Sequence, residues 1–222
     1  MNPETWSRVD HYLAGLFIPE DPEMTAALAA SAAAGLPSIH VSPLQGRLLQ
    51  LLAALRGALR VLEIGTLGGV STLWLARALG PEGRIVTLEL DPKHAAVARA
   101  TFERAGRAGQ IELRLGAAKD ALEAMVAAGD AAFDFIFIDA DKASIPDYFQ
   151  LAMQLSRPGT AIVTDNVVRK GAVADAASTD PNVLGVRRFN ELVSRDPRVA
   201  STTIQTVGEK GYDGFTLTLV HG

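Results

Sequence analysis

Three oxygen-bearing side chains stand at the ends of two apolar runs in the second half of the chain. Phe133-Asp-Phe-Ile-Phe-Ile-Asp139 ends in a carboxylate and is followed by Ala140-Asp141-Lys142. Thr160-Ala-Ile-Val-Thr-Asp165-Asn166 ends in a second carboxylate with an amide beside it. If the runs are successive parallel strands joined through a helix, both ends fall on the same edge of a sheet. Asp139, Asp165 and Asn166 then converge. Hard oxygen donors with no His or Cys among them suit Mg²⁺, Mn²⁺ or Ca²⁺ rather than zinc. Two unpaired carboxylates at one edge would repel, and each would favour its neutral form. A divalent cation removes that conflict, and Lys142 can help offset it. Taken singly, Asp139 could cap a helix and Asp165-Asn166 could open a turn. The three together favour a metal site.

A second constellation lies earlier. The run at 61–64 leads into Glu63-Ile-Gly65-Thr-Leu-Gly68-Gly69-Val-Ser71 and then a helical stretch. A glycine-rich turn between strand and helix lets backbone N–H groups approach a ligand closely beside a positive helix end. Twenty-four positions after Gly65, at the end of the next apolar run, stands Glu89. A carboxylate there can accept both ribose hydroxyls of an adenosine. Asp91-Pro92 caps the helix that follows, a structural role that Glu89 has no evident share in. The spacing is not G-x-G-x-x-G, which weakens a dinucleotide reading. These residues alone do not separate NAD from S-adenosylmethionine.

The elements that must position these groups follow from hydropathy. Residues 1–57 read as helical, with apolar positions at helical spacing over 25–34 and 44–55 and Ser42-Pro43 as cap and first helical position. From Arg60 short apolar runs at 61–64, 85–90, 111–115, 133–138 and 161–164 alternate with helical stretches at 71–79, 92–105, 117–127, 145–155 and 183–194. Continuous apolar strands separated by helices are what a parallel sheet covered on both faces requires. Two β-rich runs at 202–207 and 215–220, joined by Gly208-Glu209-Lys210-Gly211, predict a closing antiparallel hairpin. The expectation is one α/β domain over 1–222: a Rossmann-like, mostly parallel seven-stranded sheet, with 1–57 as a helical N-terminal extension.

Composition narrows the function classes. The 222 residues carry 48% hydrophobic and 21% charged side chains, ordinary for a globular protein. The absence of cysteine excludes thiolate zinc sites, iron–sulfur clusters and disulfides, and fits a reducing compartment. The net charge of −4 without a dense basic run disfavours a nucleic-acid partner. No stretch has the length of a membrane span or the pattern of a signal peptide, so a cytoplasmic location is expected. His11, His40, His94 and His221 are scattered and suggest no triad; His94, in a helix first turn, reads as surface. Trp6 and Tyr12 read as packing or a dimer seam.

The motifs together are specific. V-L-E-I-G-T-L-G-G-V-S-T-L at 61–73, V-T-L-E-L-D-P at 86–92, F-I-D-A-D-K at 137–142, R-P-G-T-A-I-V-T-D-N-V-V at 157–168 and D-G-F at 213–215 resemble the metal-dependent catechol and caffeoyl-CoA O-methyltransferase family, small class I S-adenosylmethionine-dependent methyltransferases. The resemblance runs over about 39–220. It implies that Asp139, Asp165 and Asn166 hold the metal, magnesium foremost, and that Lys142 takes the proton from the substrate hydroxyl. It places Glu63, Gly65 and Ser71 at the methionine end of the cofactor and Glu89 at its ribose, with Thr66 also in contact with the cofactor. Ala118 and Asp141 fall near the adenine, Asp139 borders the cofactor as well as the metal, and Val41 contributes a contact from the helical extension. It also implies a small-molecule acceptor with adjacent oxygens and a homodimer. Ile145 departs from the tyrosine that many relatives carry, and 169–182 forms a variable loop over the acceptor.

The mechanism so implied has the metal chelating two adjacent oxygens of a catechol-like acceptor. A lysine can accept the hydroxyl proton only in its neutral form, which at neutral pH requires help from burial or a nearby cation. The phenolate then attacks the sulfonium methyl in line, and holding the reactants together can contribute roughly 7–11 kcal/mol. Two rivals remain at this stage. An NAD-dependent oxidoreductase accounts for Gly65 and Glu89 but leaves the acidic cluster idle. A non-catalytic module binding S-adenosylmethionine or metal has no need of Lys142.

Overall fold

The apolar runs do form a parallel sheet. The computed structural model describes residues 2–222. Three helices, α1 (Pro3–Phe17), α2 (Pro22–Ala33) and α3 (Pro43–Leu55), precede the first strand. The order is then β1 (Arg60–Ile64), α4 (Val70–Ala76), β2 (Arg84–Glu89), α5 (Pro92–Arg104), β3 (Ile111–Leu115), α6 (Ala118–Ala128), β4 (Phe135–Ile138), α7 (Ile145–Gln154) and β5 (Ala161–Asp165). A 3-10 turn (Arg169–Ala174), α8 (Pro181–Arg195), β6 (Val199–Gly208) and β7 (Gly211–Val220) complete the chain. Asn2, Asp21, Ser42, Asp91 and Asp180 each cap a helix whose first turn carries proline, the arrangement in which proline's missing N–H costs nothing.

The sheet has seven strands in the order β3-β2-β1-β4-β5-β7-β6. β1 to β5 pair in parallel, and β7 runs antiparallel to both β5 and β6. Alternate side chains leave opposite faces of a strand, and the cores follow that rule. Val61, Phe135, Phe137 and Val163 pack toward α3 and α4 with Leu49 and Trp74. Leu62, Ile136, Ile138 and Ile162 pack toward α6, α7 and α8 with Leu122, Phe149 and Phe189. Strand order reverses between β1 and β4, so the connections leaving their carboxyl ends part to opposite sides and open a cleft. At the other end of the sheet, Asp134 Oδ2 accepts the backbone N–H groups of Leu59 (2.9 Å) and Arg60 (3.0 Å) and ties β1 to β4 below the core.

Several boundaries differ from the sequence reading, three of them instructively. β6 and β7 span ten residues each, because the ladder continues to the pair Gly208–Gly211. The glycines therefore flank a two-residue turn, Glu209-Lys210, instead of forming it. β6 is exposed along nearly its whole length, and its Ser, Thr and Gln side chains conceal a strand from a search for apolar runs. β2 begins and ends one residue early, since Leu90 lies outside the sheet and is largely exposed. β4 starts at Phe135, Asp134 having turned to its tether.

Candidate active site

Most of the residues singled out for chemistry lie at the carboxyl ends of β1, β2, β4 and β5; Ala118 opens α6 after β3, and Val41 precedes α3. Gly65 leaves β1 with φ +101° and donates its N–H to Leu88 O at 3.0 Å. A Cβ there would stand 2.3 Å from the backbone oxygen of Asp139, so only glycine lets the loop press against the end of β4. Leu67 and Gly69 also take positive φ, +51° and +85°, as the chain reverses into α4. Thr66 points downward: its hydroxyl meets Thr87 Oγ1 at 2.6 Å and donates to Leu88 O at 3.1 Å.

Glu89 has the structural role that its sequence position did not disclose. Its Oε2 accepts from the N–H groups of Thr66 (3.2 Å) and Leu67 (2.7 Å), and Oε1 accepts from Asp91 N at 2.9 Å. The ribose candidate therefore also fixes the shape of the glycine loop. Oε2 is filled by its two donors, but Oε1, with one, keeps a second lone pair, so both uses are compatible. Asp91 caps α5 through Lys93 N and His94 N, as its sequence context indicates. His94 is not the surface residue it was read as: its Nδ1 lies 3.5 Å from Glu89 Oε1, and it lines the same cavity.

Glu63 is wholly buried beneath the loop and not on the cavity wall. Its Oε2 accepts the hydroxyls of Thr72 and, at 2.6 Å, Thr87, while Oε1 has no partner. Burial pushes its pKa up from 4.5 to about 7, against the hydroxyl hydrogen bonds that pull it down. Between those values the folded state keeps a proton that the unfolded chain releases, so stability falls as pH rises through the window and levels off above it. Glu63→Gln retains an acceptor for both threonines and removes the titration. Its melting temperature should gain on the parent protein from pH 5 to pH 8; a gap that stays constant with pH would exonerate Glu63.

At the next strands, Asp139 follows β4 and Asp165 ends β5, whose register pairs Ile138 with Thr164. Lys142 Nζ donates to Asp139 Oδ1 at 2.6 Å. Asp165 is buried; its Oδ1 accepts from Asn166 N at 2.7 Å and its Oδ2 from Gln45 Nε2 at 2.5 Å. Burial and the charge of Asp139 raise its pKa. That is the conflict expected of two carboxylates sharing one sheet edge. Asn166 takes φ +58° and faces the cavity. Among the described residues no three His, Cys, Asp or Glu side chains cluster as metal ligands; the donors gathered here are two carboxylates and an amide. Asp141 accepts from Ser144 N (3.0 Å) and Tyr148 Oη (2.6 Å). Burial pushes its pKa up, but these bonds and the Lys142 charge outweigh it and hold the carboxyl below its ordinary value.

One cavity of about 790 Å³ joins these parts, with Glu63 and Asp165 buried outside its lining. Gly65, Thr66, Ser71, Glu89 and Ala118 line one side of it, and Val41, Asp139, Asp141, Lys142 and Asn166 continue the wall. Sequence reasoning missed four residues here: Gln45, His40, Tyr148 and Arg169. Tyr148 had a signal, since it lies one helical turn beyond the Ile145 position where a tyrosine was looked for. Gln45, 120 residues from its partner, had none.

An open sheet of this order, with a glycine loop after β1 and an acid after β2, defines a Rossmann-like methyltransferase. Residues 18–220 match a family described as O-methyltransferase. The chain belongs to this O-methyltransferase family, in its catechol and caffeoyl-CoA type. It is 51% identical to a catechol O-methyltransferase of Niastella koreensis over 99% of its own length and 100% of that protein. Its fold superimposes with a TM-score of 0.97 on an O-methyltransferase from Bacillus cereus solved with SAH, 52% identical over 99% of this chain and 100% of that one. The O-methyltransferase TomG of Streptomyces achromogenes, involved in tomaymycin synthesis and solved with SAM, gives 0.96 at 49% identity over the full length of both. Family membership sets aside the NAD-dependent oxidoreductase. No described helix is long and apolar enough to cross a membrane.

Proposed function

We propose that the chain transfers a methyl group from S-adenosylmethionine to one hydroxyl of a vicinal dihydroxy small molecule, with a divalent cation held by Asp139, Asp165 and Asn166. The observation that carries this reading is that Asp139, Lys142 and Asn166 share one cavity with the glycine loop and Glu89. The donor sets suit both groups. Glu89 Oε1 keeps one lone pair for a ribose hydroxyl, and the unpartnered Glu63 Oε1 leaves a buried acceptor under the loop. Asp165 lies in a like-charge, buried setting that a cation relieves. The cofactors present in the Bacillus and Streptomyces structures, and the substrate in the name of the Niastella relative, support the same assignment.

S-adenosylmethionine supplies an electrophilic methyl on sulfonium. A divalent cation on these donors would supply charge that competes with Lys142 for Asp139 and acidifies a hydroxyl it coordinates. The chain's own residues do the rest. Gly65 and Glu89 fix the loop that seats the cofactor. Tyr148 and Ser144 immobilise Asp141, so Lys142, one residue on, projects from a braced turn. Lys142 Nζ is the group placed to receive the hydroxyl proton. That nitrogen donates to Asp139 Oδ1, so proton acceptance requires that this contact loosen. Val9, Tyr12 and Leu16 fall three and four apart on α1 and are exposed, and we assign this stripe to a homodimer seam.

The test is methyl transfer from labelled S-adenosylmethionine to a panel of vicinal dihydroxy aromatics, with Mg²⁺ or with EDTA. Transfer lost in EDTA and restored by metal is expected. Transfer indifferent to EDTA would remove the metal, and bound cofactor with no acceptor methylated would favour the non-catalytic module.

A further inference from the structure

The cavity is lined by three Lys and Arg side chains: Lys119, Lys142 and Arg169. Two are committed. Lys119 donates to Asp147 at 2.9 Å and Lys142 to Asp139 at 2.6 Å. Arg169 makes only a long ion pair: its Nη1 lies 3.8 Å from Asp213 Oδ2, beyond hydrogen-bond reach, and its Nε is buried without a partner. Asp213 is otherwise engaged: its Oδ1 accepts the backbone N–H groups of Val168 (3.0 Å), Arg169 (2.9 Å) and Gly214 (3.0 Å).

The backbone that carries Arg169 is held in an uncommon shape. Asn166, Arg169 and Lys170 all have positive φ, +58°, +54° and +56°, and among the described residues only one other non-glycine residue does. Left-handed non-glycine residues cost free energy and persist where the surroundings over-determine them, often at ligand clamps. Here the clamp is Asp213 on β7. It fixes the loop so that a guanidinium with unfilled donors faces the cavity.

Position in the sheet says which ligand it faces. β5, which leads into Arg169, is three strands from β2, which carries Glu89. At about 4.8 Å per strand that is about 14 Å. Arg169 is thus at the end remote from the ribose acid, with Asp139 and Lys142 between.

Building on the acceptor chemistry above, we propose that Arg169 binds a carboxylate on the acceptor, so that the preferred substrates are vicinal dihydroxy aromatic acids and not neutral catechols. A guanidinium presents paired N–H donors in the geometry of a carboxylate, and such charge-assisted bonds are the strong ones.

The discriminating ligands are 3,4-dihydroxybenzoate and its methyl ester, which share the ring and both hydroxyls and differ in charge. Their affinities for the protein loaded with S-adenosylhomocysteine and Mg²⁺ are measured by calorimetry, for the parent protein, Arg169→Gln and Lys170→Gln. The parent protein should bind the acid at least tenfold more tightly than the ester. Arg169→Gln should bring that ratio close to one, and Lys170→Gln, removing an exposed charge one residue away, should preserve it. An acid that binds no better than its ester, or not at all, overturns the proposal, as does a ratio that survives Arg169→Gln or collapses equally in Lys170→Gln. Methyl transfer is scored separately. An acid held through Arg169 yet never methylated would sink the catalytic reading and leave this contact standing.

Discussion

Asp139→Ala should lower methyl transfer by about 10³-fold, equivalent to about 4 kcal/mol of transition-state stabilisation. The side chain meets Lys142 at 2.6 Å and raises the pKa of Asp165 through its charge. It is the group through which the proposed base and the proposed cation site communicate. The backbone of Asp139 is independent of that chemistry: its N–H donates to Ile64 O at 2.8 Å, and its carbonyl packs on Gly65. Alanine keeps both contacts, so the fold should survive while Mn²⁺ affinity, read by electron paramagnetic resonance, drops with activity. Lys142→Ala should differ in kind. Loss of a positioned base is worth about 10²–10⁴-fold in turnover, with cofactor affinity nearly intact. Weakened cofactor binding at normal residual turnover would disqualify Lys142 as the base.

Gly65→Ala should be among the most damaging single methyl additions to the molecule. The added carbon would lie 2.3 Å from Asp139 O and 2.8 Å from its carbonyl carbon, at a φ of +101°. Backbone strain of this kind costs about 1–3 kcal/mol and overpacking against fixed atoms about 1–3 more. The two add to roughly 2–6 kcal/mol. Gly57 separates the contributions, because it is also left-handed (φ +63°) but has nothing within 4 Å. Gly57→Ala should cost about 1–2 kcal/mol. Chemical denaturation of both variants checks the contrast. Equal losses would mean that the close approach to β4 contributes nothing.

The reach of sequence reasoning followed how local each signal was. The acids at 139 and 165 were legible because both terminate apolar runs, and parallel strands bring their ends to one edge. The glycine loop was legible because strand, turn and helix follow within a dozen residues. Glu89 was found as a carboxylate in the right place, but its backbone bonds to Thr66 and Leu67 arise only when β2 lies beside β1. His94 was misread because its helix turn carries no mark of facing inward. Arg169 and Gln45 depend on partners 44 and 120 positions away, and no periodicity encodes such pairs. β6 was read short because an edge strand with polar side chains on both faces leaves no alternation to detect.

The placement of β7 has a consequence for the order in which the molecule can be completed. β5 pairs on its outer side with β7 alone, Asp165 opposite Phe215, fifty residues later in the chain. Until residues 211–220 have been synthesised and docked, the outer edge of β5 has no strand to pair with, and Asp213 cannot pin the loop that follows it. Contacts so distant in sequence form late, because the intervening chain must first be closed into a loop. A nascent chain can therefore assemble β1 to β4 and the glycine loop while its acceptor side is still unformed. During translation the cofactor side of the sheet would take shape before the side that β7 completes.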